Sequence, residues 1–176
     1  MTTFRLAALL ALAVAFVHGR GAAATTVKPL YEFCSPTNCT DGQAPRGNLA
    51  TDAQGDLFGV AGSGGDSDDG AVFELVRDQR SGRWTYQRIY SFCSAPPCLD
   101  GALPAGGLVI DTEGRLYGVT SFDGAFGFGT IYQLSQSQGV WTYKVLANLC
   151  TQPNCTDTGS SFAGLSYKGS GCGLAL

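Results

Sequence analysis

The sequence predicts an all-β fold assembled from copies of one antiparallel four-stranded unit, and three observations carry that reading. Glycine makes up 25 of the 176 residues, about twice the usual ~7%, which suits a chain with many tight turns. Short apolar runs alternate with polar residues at period two and show no helical spacing. The pattern also returns along the chain: Cys34, Cys93 and Cys150 stand 59 and 57 residues apart, and their surroundings match.

The first residues stand apart from that pattern. Met1 to Ala24 carries Arg5, an apolar run from Leu6 to Val17 and the small residues Ala22, Ala23 and Ala24, the layout of a secretory signal. A bilayer span needs ~20 apolar residues, so this run is too short and no membrane span is expected. Cleavage is expected after Ala24, with a cut after Gly19 as the alternative; the cut after Ala24 removes Arg5 and Arg20 from the 11 basic residues and none of the 14 acidic ones, taking the charge from −3 to −5. It also removes His18, the one histidine, which excludes Ser-His-Asp, Cys-His and His-ligated zinc chemistry. With so few basic residues, nucleic acid is not an expected partner.

Residues 25–165 form the repeat domain, with repeats at about 28–86, 87–143 and a partial one at 144–165. Tyr31-Glu-Phe-Cys34 matches Tyr90-Ser-Phe-Cys93 and Ala147-Asn-Leu-Cys150, and each cysteine opens a C-x4-C frame followed by Asp41, Asp100 or Asp157. Gly47-Asn-Leu49 then matches Gly106-Gly-Leu108 and Ala163-Gly-Leu165. Strands are expected at Leu108–Ile110 and Leu116–Thr120, flanking a turn that Asp111 caps and Gly114 closes, as Asp52 and Gly55 do one repeat earlier. Thr130–Leu134 and Trp141–Leu146 alternate and supply the third and fourth strands.

Four antiparallel strands per repeat is the make-up of a β-propeller blade. The chain holds a blade from Gly47 to Phe92, a second from Gly106 to Leu149, an orphan last strand at Lys28–Phe33 and a broken start at Ala163. Closed rings need roughly 4 to 8 blades, so about two full blades plus partial ones predict an incomplete propeller. Its open edges are liable to pair with a second copy. Residues 166–176 depart from the pattern and read as an aberrant or truncated tail, with Cys172 as the odd thiol.

Asp111-x-x-Gly-Arg-Leu-Tyr-Gly-Val-Thr, Gly129-Thr-Ile-Tyr-Gln-Leu134 and Tyr90-Ser-Phe-Cys93 with its C-x4-C-x-Asp-Gly resemble the GloVer tandem repeats of secreted or surface-anchored bacterial proteins. The resemblance covers about Lys28 to Leu165 and implies a β-propeller of several blades with no catalytic residues to carry over. Val60-Ala61 and Val119 stand where that family usually has a Thr-Thr pair.

Three sets of residues could carry chemistry. In an exported chain the C-x4-C frames read as local disulfides Cys34–Cys39, Cys93–Cys98 and Cys150–Cys155, with a thiolate metal site as the rival reading. Asp52 and Asp111 recur at equivalent places, which argues for turn structure over a catalytic pair. Asp66-Ser-Asp-Asp-Gly70 lacks the spacing of a calcium loop, so no metal and no cofactor are expected. Trp84 and Trp141 alternate with Thr on the outermost strands, suiting either sugar rings or packing between blades. Phe122, Phe126 and Phe128 occur in one repeat only and are the better candidates for a specific contact. Together these predict an exported, non-catalytic binding or structural module for a glycan or protein partner. The alternative is an extracellular hydrolase built on the repeat aspartates.

Overall fold

The computed structural model describes residues 27–151, 165–167 and 174–175, and every regular element in them is a strand. β1 (Gln43–Thr51), β2 (Leu57–Ser63), β3 (Ala71–Arg77) and β4 (Trp84–Ser91) form an antiparallel sheet in sequence order. β5 (Ala102–Ile110), β6 (Leu116–Phe122), β7 (Thr130–Ser137) and β8 (Val140–Asn148) form a second in the same way. These are two propeller-type blades in an unclosed stack. A short ladder of β9 (Ser166–Tyr167) with β10 (Leu174–Ala175) follows, and β9 lies against β5 as β5 lies against β1. No helix among the described residues is long and apolar enough to cross a membrane.

Sequence identities between the repeats become identities of geometry. Asp52 Oδ1 accepts hydrogen bonds from the N–H groups of Gln54 and Asp56, at 3.0 and 2.9 Å. Asp111 Oδ1 does the same for Glu113 and Arg115, at 3.0 and 2.9 Å. Gly55 and Gly114 close those turns at φ 86° and 77°, a region that costs other residues a Cβ clash. Each inner strand shifts register against its neighbour, between Arg46 and Ala50 in β1 and between Ala105 and Val109 in β5. Each outer strand carries one extra residue at matching places, Ile89 in β4 and Leu146 in β8.

The irregular inner segments are where the blades meet. A Cβ placed on Gly47 would stand 1.7 Å from the Gly106 carbonyl oxygen, and one on Gly107 would stand 2.7 Å from that of Asn48. Backbone therefore rests on backbone, and the Gly-x-Leu pattern serves this contact. Leu-aromatic-Gly has a packing reason too: a Cβ on Gly59 or Gly118 would run into the ring of Phe73 or Tyr132 from the adjacent strand.

The core lies between the sheets. Ala50, Phe58, Val60 and Val72 of the first blade and Phe92 beyond it pack against Leu108, Leu116, Tyr132 and Leu134 of the second. Leu108 is 6% exposed because the first blade covers it, whereas the equivalent Leu49 is 48% exposed.

Two expectations change. Lys28–Phe33 forms no strand, since nothing pairs with its backbone. Its side chains still pack as in the next repeat: Tyr31 stacks on Tyr86 at 4.4 Å as Tyr90 does on Tyr143 at 4.2 Å. Phe33 meets Phe73 edge-on at 4.9 Å as Phe92 meets Tyr132 at 5.2 Å. The inner strands also begin earlier than Gly47 and Gly106, because Gln43 and Ala102 pair with Ser63 and Phe122. Residues 1–24, Ala163 and most of the tail lie outside the described residues.

Gly47→Ala should therefore destabilise the chain by about 2–4 kcal/mol, through overpacking added to a positive φ. Gly55→Ala, with nothing within 4 Å, should cost about 1 kcal/mol. Urea unfolding of both variants checks this, and equal losses would contradict a blade contact at Gly47.

Candidate functional site

One end of the stack carries the cysteine loops. The sulfurs of Cys34 and Cys39, and of Cys93 and Cys98, lie at bonding distance. Cys155 and Asp157 lie outside the described residues. Asp41 accepts from the N–H groups of Cys34 and Ser35 at 3.1 and 3.3 Å and from the Tyr31 hydroxyl at 2.7 Å. Asp100 repeats this with the Cys93 N–H at 3.0 Å and the Tyr90 hydroxyl at 2.8 Å. Across the blade boundary, the Tyr86 hydroxyl donates to the Asp41 carbonyl and that of Tyr143 to the Asp100 carbonyl. Burial, followed by the Asp41 carboxylate, pushes the Tyr31 hydroxyl up to about 12, which keeps it a donor. Asp41 and Asp100 thus clasp each cysteine loop to the preceding strand.

The loops after β2 and β6 stand at the same end. Asp66 pairs with both guanidinium nitrogens of Arg88 at 2.8 and 3.0 Å, and its N–H donates to the Ser91 hydroxyl at 2.8 Å. In the second blade the matching N–H, of Ala125, donates to the Asn148 side chain at 2.8 Å. Phe128 occupies the position of Asp69, each bridging back to the start of its loop. The Asp69 carbonyl accepts from Leu103 N–H of the next repeat, so this position faces the following blade. Phe122, Phe126 and Phe128 are 45%, 52% and 38% exposed. Asp69 also approaches Cys93 and Cys98, the one group of metal-ligand spacing among the described residues. Those two sulfurs are bonded to each other and are not thiolate ligands.

The opposite end, where the Asp-x-x-Gly turns lie, holds a cleft of about 750 Å³ between the blades. Asp52, Asp56, Phe58 and Glu74 line it from one side, and Ile110, Asp111, Glu113 and Trp141 from the other. Most of its carboxylates are engaged. Asp52 holds its own turn, and Asp56 accepts from Arg77 N–H at 2.7 Å. Asp111 takes the Arg115 guanidinium at 2.6 Å and the Tyr117 hydroxyl at 2.9 Å, and Glu113 pairs with the same guanidinium. Burial works to raise the Asp111 carboxyl, but these bonds outweigh it and hold it below its ordinary value.

Glu74 differs from the rest. It is 8% exposed and has no hydrogen-bond or ion-pair partner among the described residues. Burial first, then Asp56 and Asp52, raise its carboxyl above the ordinary 4.5. The reason is a difference between repeats. The matching Gln133 donates to the Tyr117 hydroxyl at 2.9 Å, whereas Glu74 sits opposite Phe58, which has nothing to offer.

Residues 17–174 match the family model of the Gloeobacter/Verrucomicrobia repeat, nearly the whole chain. The chain belongs to that family. Comparison with curated proteins and with solved structures returned no match.

The two Gloeobacter/Verrucomicrobia repeat units separate the residues singled out in the sequence. Trp141 lies in the cleft, its ring edge-on to Phe58 at 6.0 Å. Trp84 occupies the same place on the first blade, facing away from the second, with the Arg77 guanidinium 5.8 Å from its ring centre. The phenylalanines stand at the other end from Trp141. Glu74 was missed, although one signal marked it: a charge inside the apolar run Ala71-Val-Phe-Glu-Leu-Val76, where the next unit has a neutral residue.

A carboxyl raised on folding binds its proton more tightly in the folded state, so ionised Glu74 destabilises the fold above its ordinary pH range. Glu74→Gln should be more stable than wild type at pH 7 by about 1 kcal/mol. The gap should shrink as pH falls and vanish below about 4.5. Urea melts at pH 7 and pH 4 check the sign.

Proposed function

We propose that this repeat protein is an exported, non-catalytic module that binds a glycan or protein partner. Export is supported by the signal-like leader and by cysteine pairs at bonding distance. The observation that carries the non-catalytic reading is the engagement of the repeat aspartates. Asp41, Asp52, Asp100 and Asp111 each accept hydrogen bonds from their own turn or loop. A carboxylate hydrolase needs one group to hand a proton to substrate and another to act as base or nucleophile. Carboxylates tied into turns hold the fold instead, and Asp41 and Asp100 stand at the opposite end of the blades from Asp52 and Asp111.

One observation favours the hydrolase reading: Glu74, raised by burial, has the character of a general acid and shares a cleft with Asp52 and Asp56. The two readings part on turnover. Wild-type protein should release no reducing ends from plant, fungal or bacterial polysaccharides over prolonged incubation. Asp111→Asn should lose about 1–2 kcal/mol of stability, since its amide nitrogen cannot accept from the Arg115 guanidinium and the Tyr117 hydroxyl as Oδ2 does. Turnover by wild type, lost in a stable Asp111→Asn, would replace the binding reading with the enzyme.

A further inference from the structure

We propose that the cleft between the blades binds a guanidinium group, the arginine side chain of a basic segment on a protein partner, against the Asp52, Asp56 and Glu74 carboxylates of the first blade and the Trp141 ring of the second. This rests on the reading of the chain as a binding module and gives that module a partner class and a place.

The two blades treat one set of positions differently. In the second, the turn from Asp111 to Arg115 supplies its own cation: the Arg115 guanidinium meets Asp111 at 2.6 Å and pairs with Glu113 as well. In the first, Asp56 stands where Arg115 does and Glu74 where Gln133 does, so both changes make that wall more negative. Arg77, at the end of β3, holds its guanidinium over Trp84 on the other face of the blade. The lining of the cleft holds no lysine or arginine, and among the described residues no basic side chain pairs with Asp52, Asp56 or Glu74. Glu74 is 8% exposed, and its carboxylate, bonded to no described group, keeps its contact with solvent where it lines the cleft. Burial and the two neighbouring carboxylates work against its charge, a cost that a cation entering the cleft offsets. The second blade thus shows which group the first blade lacks.

The chemistry narrows the ligand. An anion adds to the repulsion, and a neutral group leaves it in place. A metal ion needs converging oxygens, and no three of these carboxylates bring oxygens within 4.8 Å of one another. A guanidinium spreads its N–H donors across a plane, so it reaches carboxylates set further apart than a metal ion spans. Its flat face also stacks on an aromatic ring, and the partly exposed Trp141 lines the opposite wall. An ammonium is a compact, strongly hydrated charge and gains less from such a wall. At about 750 Å³ the cleft has room for a whole side chain, within the ~300–1,000 Å³ of ligand sites.

The chain has two tryptophans, Trp84 and Trp141. Trp84→Phe therefore leaves Trp141 as the sole indole reporter. Titrating this variant with a capped tetra-arginine peptide at about 0.15 M salt, which screens charges beyond ~8 Å, should give a saturable change in Trp141 emission. Adding Glu74→Gln should weaken that binding about tenfold or more. Asp56→Arg, which supplies the guanidinium from the chain itself, should abolish it, and urea melts check that both variants fold. Glu32→Gln, an equal loss of charge at the cysteine-loop end, should change affinity by less than about twofold. No response to the peptide, a response that Glu74→Gln leaves intact, or an equal loss with Glu32→Gln would overturn the site. Equally tight binding of tetra-lysine or spermine would overturn the guanidinium, and displacement by calcium chloride at matched ionic strength would make this a metal site. Free L-arginine binding as tightly as the peptide would overturn the protein segment as its source. The two readings fail separately. Calorimetric heat with a neutral oligosaccharide and no peptide response removes the cleft but keeps the module, whereas a peptide response alongside released reducing ends keeps the cleft and removes the non-catalytic reading.

Discussion

The structure depends on one constraint, the approach of inner-strand backbones at Gly47 and Gly106–Gly107. At that separation no Cβ fits, and the inner strands leave regular register to reach it. Everything that packs between the blades inherits its spacing from this contact. The layer of Phe58, Val60, Leu108, Leu116 and Tyr132 fills the gap it leaves, and Tyr90 reaches Tyr143 at stacking distance. In a propeller the blades are held by side-chain layers far more than by hydrogen bonds between sheets, so the inner spacing governs how much apolar area is removed from water.

A second interaction closes the outer side of each boundary. The Tyr-x-Phe that follows a blade is bound to the next cysteine loop through Asp41 or Asp100, and a tyrosine of the next blade hydrogen-bonds the same aspartate's carbonyl. Both groups of one residue are used, one for each side of the boundary. This explains why residues ahead of β1 dock on the first blade with no strand to pair with. The contact needs only two aromatic side chains and a hydroxyl, and Tyr31-Glu-Phe33 supplies them.

Where the repeats agree, they account for the fold; where they differ, the chemistry of the blade boundary changes. Phe58 in place of Tyr117, and Glu74 in place of Gln133, turn a satisfied hydrogen bond into an unpartnered carboxylate. The substitution falls at the boundary that Trp141 also lines, so the cleft takes a carboxylate from one blade and an indole ring from the other. The aromatic loop Phe122–Phe128 is the other departure. Phe128 stands where Asp69 contacts the next repeat, which places it at the following blade boundary.

The sequence by itself determined the strand count per repeat, the Asp-x-x-Gly hairpins and the antiparallel order, because these follow from local alternation and turn chemistry. It also determined family membership, through residues such as Leu-Tyr-Gly118 whose spacing is set within one blade. The cleft was not legible. Glu74 and Trp141 lie in different repeats, and whether a carboxylate finds a partner depends on which side chain of a neighbouring strand stands across from it. Nor could local pattern show that Trp141 packs against the core between the blades while Trp84 faces away, since both occupy the same register and differ only in what lies beside them. Tertiary structure decided these points, because burial and hydrogen-bond satisfaction belong to pairs of surfaces, and one strand read alone contains only half of each pair.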